Sequence, residues 1–231
     1  MALLLWSSAS NQEREAMKVM MWTPLLPERE KSPFLEPCRQ FRRDLVRKYK
    51  IVAVEDRTFP EGLGAKNERG RQIAIAGGFT HMLYIEDDET ADLEILAEFE
   101  KCLEETGGKV AMAVIPMRPV RTLTRMNAPL IWHYEHPYPV INDRILTCTQ
   151  AQKDYGNRTP IKIEGGSVCS PMLVSLDIDL PFHGADVHKP EEGPPWDFFF
   201  SQELRARFIP FYCLNWIHTK HYCDSTKNIY E

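Results

Sequence analysis

His81-Met82-Leu83-Tyr84-Ile85-Glu86-Asp87-Asp88-Glu89-Thr90 runs from an apolar block straight into four consecutive acids. A short apolar run bounded by polar residues reads as a buried strand of a parallel sheet, here about 82–85. In open α/β sheets, ligands bind just beyond the carboxyl ends of the strands. Four carboxylates at such an end repel one another unless a cation is among them. On an extended backbone side chains alternate, so Glu86 and Asp88 share one side and Asp87 and Glu89 the other. Either pair can grip a hard divalent ion such as Mg2+ or Mn2+ through oxygen ligands. The plain alternative is a solvated acidic loop capping the next helix.

Toward the N-terminus, Gly77-Gly78 closes a helical segment over 65–77 that carries Lys66, Asn67, Arg69 and Arg71. Before it, Ile51-Val-Ala-Val54 reads as a second buried strand, and it too ends in acids, Glu55 and Asp56. A helix over about 34–49 places Cys38, Phe41 and Leu45 on one face; Arg39, Arg42, Arg43, Arg47 and Lys48 fill a solvated basic remainder. Met17-Lys-Val-Met-Met-Trp22 is the first strand, followed by Thr23-Pro24 where a ligand loop should start. Residues 1–16 lack a period and read as an N-terminal extension. Beyond the acids, Thr90 is a candidate N-cap for a helix over 91–105, and Val110-Ala-Met-Ala-Val-Ile115 is a fourth strand. The order β-α-β-α-β-α-β is that of a nucleotide-binding half, 17–116.

The second half, 117–231, has a different texture. Prolines, aromatics and basic residues fill 116–160, where His133-Tyr-Glu-His136 is a weak metal pair. Gly165-Gly166 precedes a strand ending at Val174, and 181–195 is a long loop of the kind that serves function. Trp196-Asp-Phe-Phe-Phe200 opens a helix with Phe200, Leu204 and Phe208 on one face, and Ile209 to Leu214 is a last strand. One domain, 17–231, fits best.

The 231 residues carry a net charge of −5 and no basic block, which argues against a nucleic-acid partner. No apolar run reaches the ~18 residues of a membrane helix. The six cysteines show no C-x-x-C pair and read as reduced thiols, so a cytoplasmic protein is expected.

Taken in order, these motifs resemble a GT-A fold glycosyltransferase of the glycosyltransferase family 2 type, over about residues 17–223. Tyr84-Ile-Glu-Asp-Asp88 is similar to the family's hydrophobic-D-x-D signature, with Glu86 in the first acidic place. Lys66-Asn67 resembles the family's Arg-Asn pair, and Trp196-Asp197 its Glu-Asp pair, with Trp196 in place of the Glu. The late aromatic strand and His221 resemble its closing segment. The resemblance implies a Rossmann-like, mostly parallel sheet flanked by helices, and a nucleoside-diphosphate sugar as donor. It implies donor contacts from Thr23, Pro24, Glu55, Asp56, Lys66, Asn67, Arg71, Glu86 and Asp87. A Mn2+ or Mg2+ ion would be held by Asp88 and Glu86 with His221 or His218. Asp197, at a helix start that favours the carboxylate, would be the general base toward an acceptor hydroxyl on a glycan, lipid-linked or small-molecule acceptor, which implies inversion. The rival readings are a decayed nucleotide- or sugar-binding module, a metal-dependent phosphohydrolase and a nucleotidyltransferase. For the last two, Glu86 is a poor stand-in for an aspartyl nucleophile, and the first loop lacks G-x-G-x-R.

Overall fold

The computed structural model describes residues 17–58, 62–113, 140–141, 144–145, 158–163, 170–182, 196–217 and 219–230. The extension 1–16, the His133–His136 pair, Gly165-Gly166, His218 and the greater part of the two long loops lie outside them.

Strand β1 (Val19–Pro24) is the first of a seven-stranded sheet. In chain order the others are β2 (Val52–Asp56), β3 (His81–Tyr84), β5 (Val110–Ala113), β8 (Ile161–Lys162), β9 (Met172–Ser175) and β10 (Phe211–Leu214). The strands lie in the order β2-β1-β3-β9-β5-β10-β8. β1 is parallel to both β2 and β3, and β10 is parallel to β5. β9 runs antiparallel between β3 and β5, and β8 runs antiparallel at the far edge. The sheet is therefore mixed but mostly parallel. β6 (Val140–Ile141) and β7 (Arg144–Ile145) form a separate short antiparallel pair.

Period-two alternation sends the strand residues to two cores. Met20, Trp22, Met82, Tyr84, Met112 and Met172 face one side, and Val19, Met21, Leu83, Ala111 and Leu173 the other. Helix α1 (Glu36–Tyr49) covers the second face with Phe41 and Leu45, and α3 (Ile95–Thr106) covers it with Leu96, Phe99 and Leu103. Helix α2 (Leu63–Ala76) and helix α4 (Trp196–Ala206) cover the first. Gly70 lets α2 lie directly on the Trp22 indole: a Cβ there would be 2.4 Å from the ring.

Three local expectations change. β2 is an edge strand with Val52 50% exposed, not a strand buried on both faces. Arg42 of the supposedly solvated basic face is buried. Thr90 caps no helix; it lies in β4 (Glu89–Ala91), and α3 starts only at Ile95, after Glu94. The cause is a long-range pairing: β4 joins β11 (Thr219–Cys223) and β12 (Asn228–Tyr230) in a second, antiparallel sheet. Among the described residues no helix is long and apolar enough to cross a membrane.

Candidate functional site

Register lines up the carboxyl ends of three strands. Thr23 of β1 lies opposite Glu55, Pro24 opposite Asp56, and Trp22 opposite Tyr84. The loops after β1, β2 and β3 therefore open on the same end of the sheet, as expected for a ligand site in an α/β fold.

After Tyr84 the backbone does not stay extended. Asp87 and Asp88 form a turn, so the alternation expected for 86–89 fails. The turn brings Glu86, Asp88 and Glu89 together, with one carboxylate oxygen from each within 4.8 Å of the others. Asp87 points away, toward the loop after β1, where its Oδ2 accepts from the Leu26 N–H at 3.0 Å. Asp87, Asp88 and Glu89 are all buried. Glu86 accepts from the Tyr84 hydroxyl at 2.9 Å, and its own N–H donates to Ser170 Oγ at 3.0 Å.

Such crowding shifts the acids upward. Burial, then the Asp88 charge, pushes the Glu86 carboxyl up to about 7. Burial, then Glu86 and Asp88, pushes Glu89 well above the usual range. A cluster that resists ionisation this way gains from a cation. The donor set of three carboxylates with one imidazole nearby fits a Mg2+ or Mn2+ ion.

That imidazole is His221. Pairing of β11 with β4 sets His221 opposite Glu89, and the Tyr222 N–H donates to the Asp88 carbonyl at 2.7 Å. His221 Nε2 thereby lies 3.1 Å from Asp88 Oδ2. Tyr222 locks the strand by packing with Leu35 and Cys38 and edge-on to Phe34, centroids 5.7 Å apart. Ser32 Oγ donates to Asp224 at 2.5 Å across the same seam.

Sequence reasoning missed Arg29. It closes a 3-10 turn, Pro27–Arg29, and its Nη1 donates to Asp87 Oδ1 at 2.8 Å and Asp88 Oδ2 at 2.7 Å. The only signal was its position in the loop after a first strand, and nothing local ties that loop to residues 58 positions on. Arg42 adds a second guanidinium, donating to the Asp87 carbonyl at 3.1 Å.

Among solved structures, the crystal structure of A197 from STIV covers 93% of this chain and 93% of its own, at 13% identity and a TM-score of 0.52. The seven-stranded mixed sheet with helices on both faces agrees with it. The fold is of the GT-A type. S. aureus TarS 1-349 covers 86% of this chain and 58% of its own, at 14% identity and a TM-score of 0.46. The same TarS fragment in complex with UDP-GlcNAc covers 86% and 56%, at 13% identity and 0.46. No protein-family model and no curated protein matches the sequence.

Within this GT-A sheet the remaining candidate residues fall into two groups. Thr23 and Asn67 are fully buried, and Asn67 lies beside the Tyr84 hydroxyl, without hydrogen-bond geometry. Glu55 lines a small cleft with Arg29, Arg42, Asp87, Leu25 and Leu35. Trp196, at the head of α4, packs edge-on against Tyr84, centroids 5.3 Å apart, which brings the half-buried Asp197 to the same end of the sheet. Three other residues are engaged structurally. Lys66 is buried and donates to the Leu25 carbonyl at 2.8 Å. Asp56 accepts from Thr58 Oγ1 and N–H at 2.6 and 2.9 Å and from Arg69 at 2.6 Å. Arg71 is held by Glu68 at 2.9 and 3.0 Å, and that carboxylate also takes the Phe182 N–H. These contacts tie Arg71 to α2 and the segment after β9 rather than to the acidic turn.

Proposed function

We propose that this chain is a metal-dependent glycosyltransferase that moves a sugar from a nucleoside-diphosphate sugar to an acceptor hydroxyl, with inversion. The observation that carries the reading is the convergence of Glu86, Asp88 and Glu89, with His221 on Asp88, at the carboxyl end of β3 in a GT-A sheet. Asp88, Glu86, Glu89 and His221 would hold the ion. When bound, a Mn2+ or Mg2+ ion supplies positive charge against the diphosphate as it leaves.

The chain's own residues divide the remaining work. Thr23, Pro24 and Glu55, at the ends of β1 and β2, would meet the nucleoside, with Leu25 and Arg42 beside Glu55. Tyr84 holds Glu86 in place and passes the position of the turn to Trp196. Asp197, in the first turn of α4, takes the proton of the acceptor hydroxyl as that oxygen attacks the anomeric carbon. Residues 17–116 supply the donor side and 117–231 the acceptor side, where a glycan, lipid-linked or small-molecule acceptor would bind.

One observation favours a second reading, a non-catalytic nucleotide-sugar-binding module: a guanidinium is already seated on Asp87 and Asp88. Turnover separates the two. Wild type is incubated with Mn2+, a panel of nucleotide sugars and a panel of glycan and small-molecule acceptors, and free nucleoside diphosphate is measured. The transferase reading expects release from one donor, lowered about 10²–10³-fold in Asp88→Asn and about 10²–10⁴-fold in Asp197→Asn. Binding without release from any donor supports the module instead.

A further inference from the structure

The position of Arg29 in the acidic turn has a consequence for the ion itself, on the reading of that turn as an ion site. Arg29 Nη1 is 2.7 Å from Asp88 Oδ2, the same oxygen that lies 3.1 Å from His221 Nε2. Asp88 is the acid around which the carboxylate cluster and the histidine meet, and its side chain is only 2% exposed. A guanidinium has no lone pair to coordinate with and always carries its charge. A divalent ion taken up on Asp88 Oδ2 would therefore meet a fixed positive charge on the same atom.

Asp87 offers the guanidinium another seat. It accepts from Arg29 at 2.8 Å through Oδ1 and from the Leu26 N–H at 3.0 Å through Oδ2. Those two contacts fasten the loop after β1 to the turn without using Asp88. The contact with Asp88 can break while Arg29 stays bound to Asp87.

We propose that Arg29 is an internal counter-ion that competes with a divalent cation for Asp88 and thereby sets the ion affinity of the site, with Asp87 as its second seat. Arg29 is a positioning residue here, and the binding step involves no bond-making beyond exchange of one cation for another on Asp88.

The test is Mn2+ binding to the full chain at fixed ionic strength, read from the free-ion electron paramagnetic resonance signal, with no donor sugar present. Arg29→Gln removes the charge, Arg29→Lys keeps it, and Asp88→Asn reports whether binding runs through this site. Arg29→Met, which keeps the apolar stem, replaces the glutamine variant if that one does not fold. The charge-removing variant is expected to bind Mn2+ about tenfold or more tightly than wild type, because a unit charge beside a divalent ion at contact range is felt strongly in a buried site. Arg29→Lys is expected to stay near wild type. If wild type binds through Asp88 and the charge-removing variant binds equally or more weakly, Arg29 is scaffold and the competition is overturned while the ion site stands. If neither wild type nor the variant binds Mn2+, the ion reading fails and takes the competition with it.

Discussion

Two strands of this sheet end in acids, and they end differently. Beyond β2, Asp56 is met by Thr58 and Arg69 within thirteen residues of chain. Burial raises its carboxyl, but the Thr58 and Arg69 contacts outweigh that and leave it below the ordinary value. Beyond β3, Glu86, Asp88 and Glu89 crowd together, Glu86 and Glu89 are pushed up, and the basic side chains beside Asp88, Arg29 and His221, come from distant segments of the chain. The same pattern in sequence, an apolar run and then acids, thus gives one self-neutralised strand end and one that still gains from added positive charge. Acid content alone does not set how a strand end is neutralised; the segments packed against it do.

Breaking the acids should separate the two ends. Asp88→Asn is expected to abolish Mn2+ binding and to lower turnover by about 10²–10³-fold, the usual scale for removing an electrostatic contact at a reacting centre. Asp56→Asn is expected to leave Mn2+ binding unchanged, as calorimetric titration would show. Tyr222→Ala attacks the seam that carries His221. It removes an aromatic side chain that is only 8% exposed, so chemical denaturation should show a loss of about 3 kcal/mol, with weakened Mn2+ binding. Arg69→Ala removes a charged partner from Asp56 and should cost about 1–2 kcal/mol at neutral pH. The folded-state carboxyl of Asp56 lies below its unfolded value, so this stabilisation exists above the unfolded value and fades as pH falls through the folded one.

The smallest effect has the opposite sign. The Glu86 carboxyl lies near 7 in the ion-free fold, above its unfolded value. Between the two, the folded state holds a proton that the unfolded state has lost, so stability falls as pH rises from the unfolded value to about 7. Thermal melts of chelator-treated protein should therefore show a higher melting temperature at pH 5 than at pH 8 from this end of the sheet. Mn2+ should raise the melting temperature more at pH 8.

Local pattern was legible where packing is local. Met20 and Trp22 against Met21, or Phe41 and Leu45, follow the periods of strand and helix and lie on the faces those periods require. Gly107, at φ +66, ends α3 in the left-handed conformation that glycine adopts without strain. What the sequence hid was set by contacts across the chain. Glu89 and His221 are register partners 132 positions apart, which turns residues that looked like a helix start into β4. Arg29 reaches Asp87 from a proline-bounded loop with no periodicity of its own. Arg42 looked like one of several surface arginines, and its burial follows from the turn carbonyl it serves. His221 was singled out by resemblance, and only the β4–β11 pairing supplies the physical reason for its place beside Asp88.

The central claim is that the acidic turn binds a nucleoside diphosphate through a divalent ion. The most direct measurement is the melting temperature of wild type and Asp88→Ala with UDP, GDP, ADP or CDP, each with and without Mn2+. A ligand at 100 times its dissociation constant adds ~2.7 kcal/mol to the folded state, enough to read as a clear rise. One diphosphate raising the melting temperature only with Mn2+, and only in wild type, is the result expected. A rise with no dependence on Mn2+ or on Asp88, or no rise with any diphosphate, would contradict it.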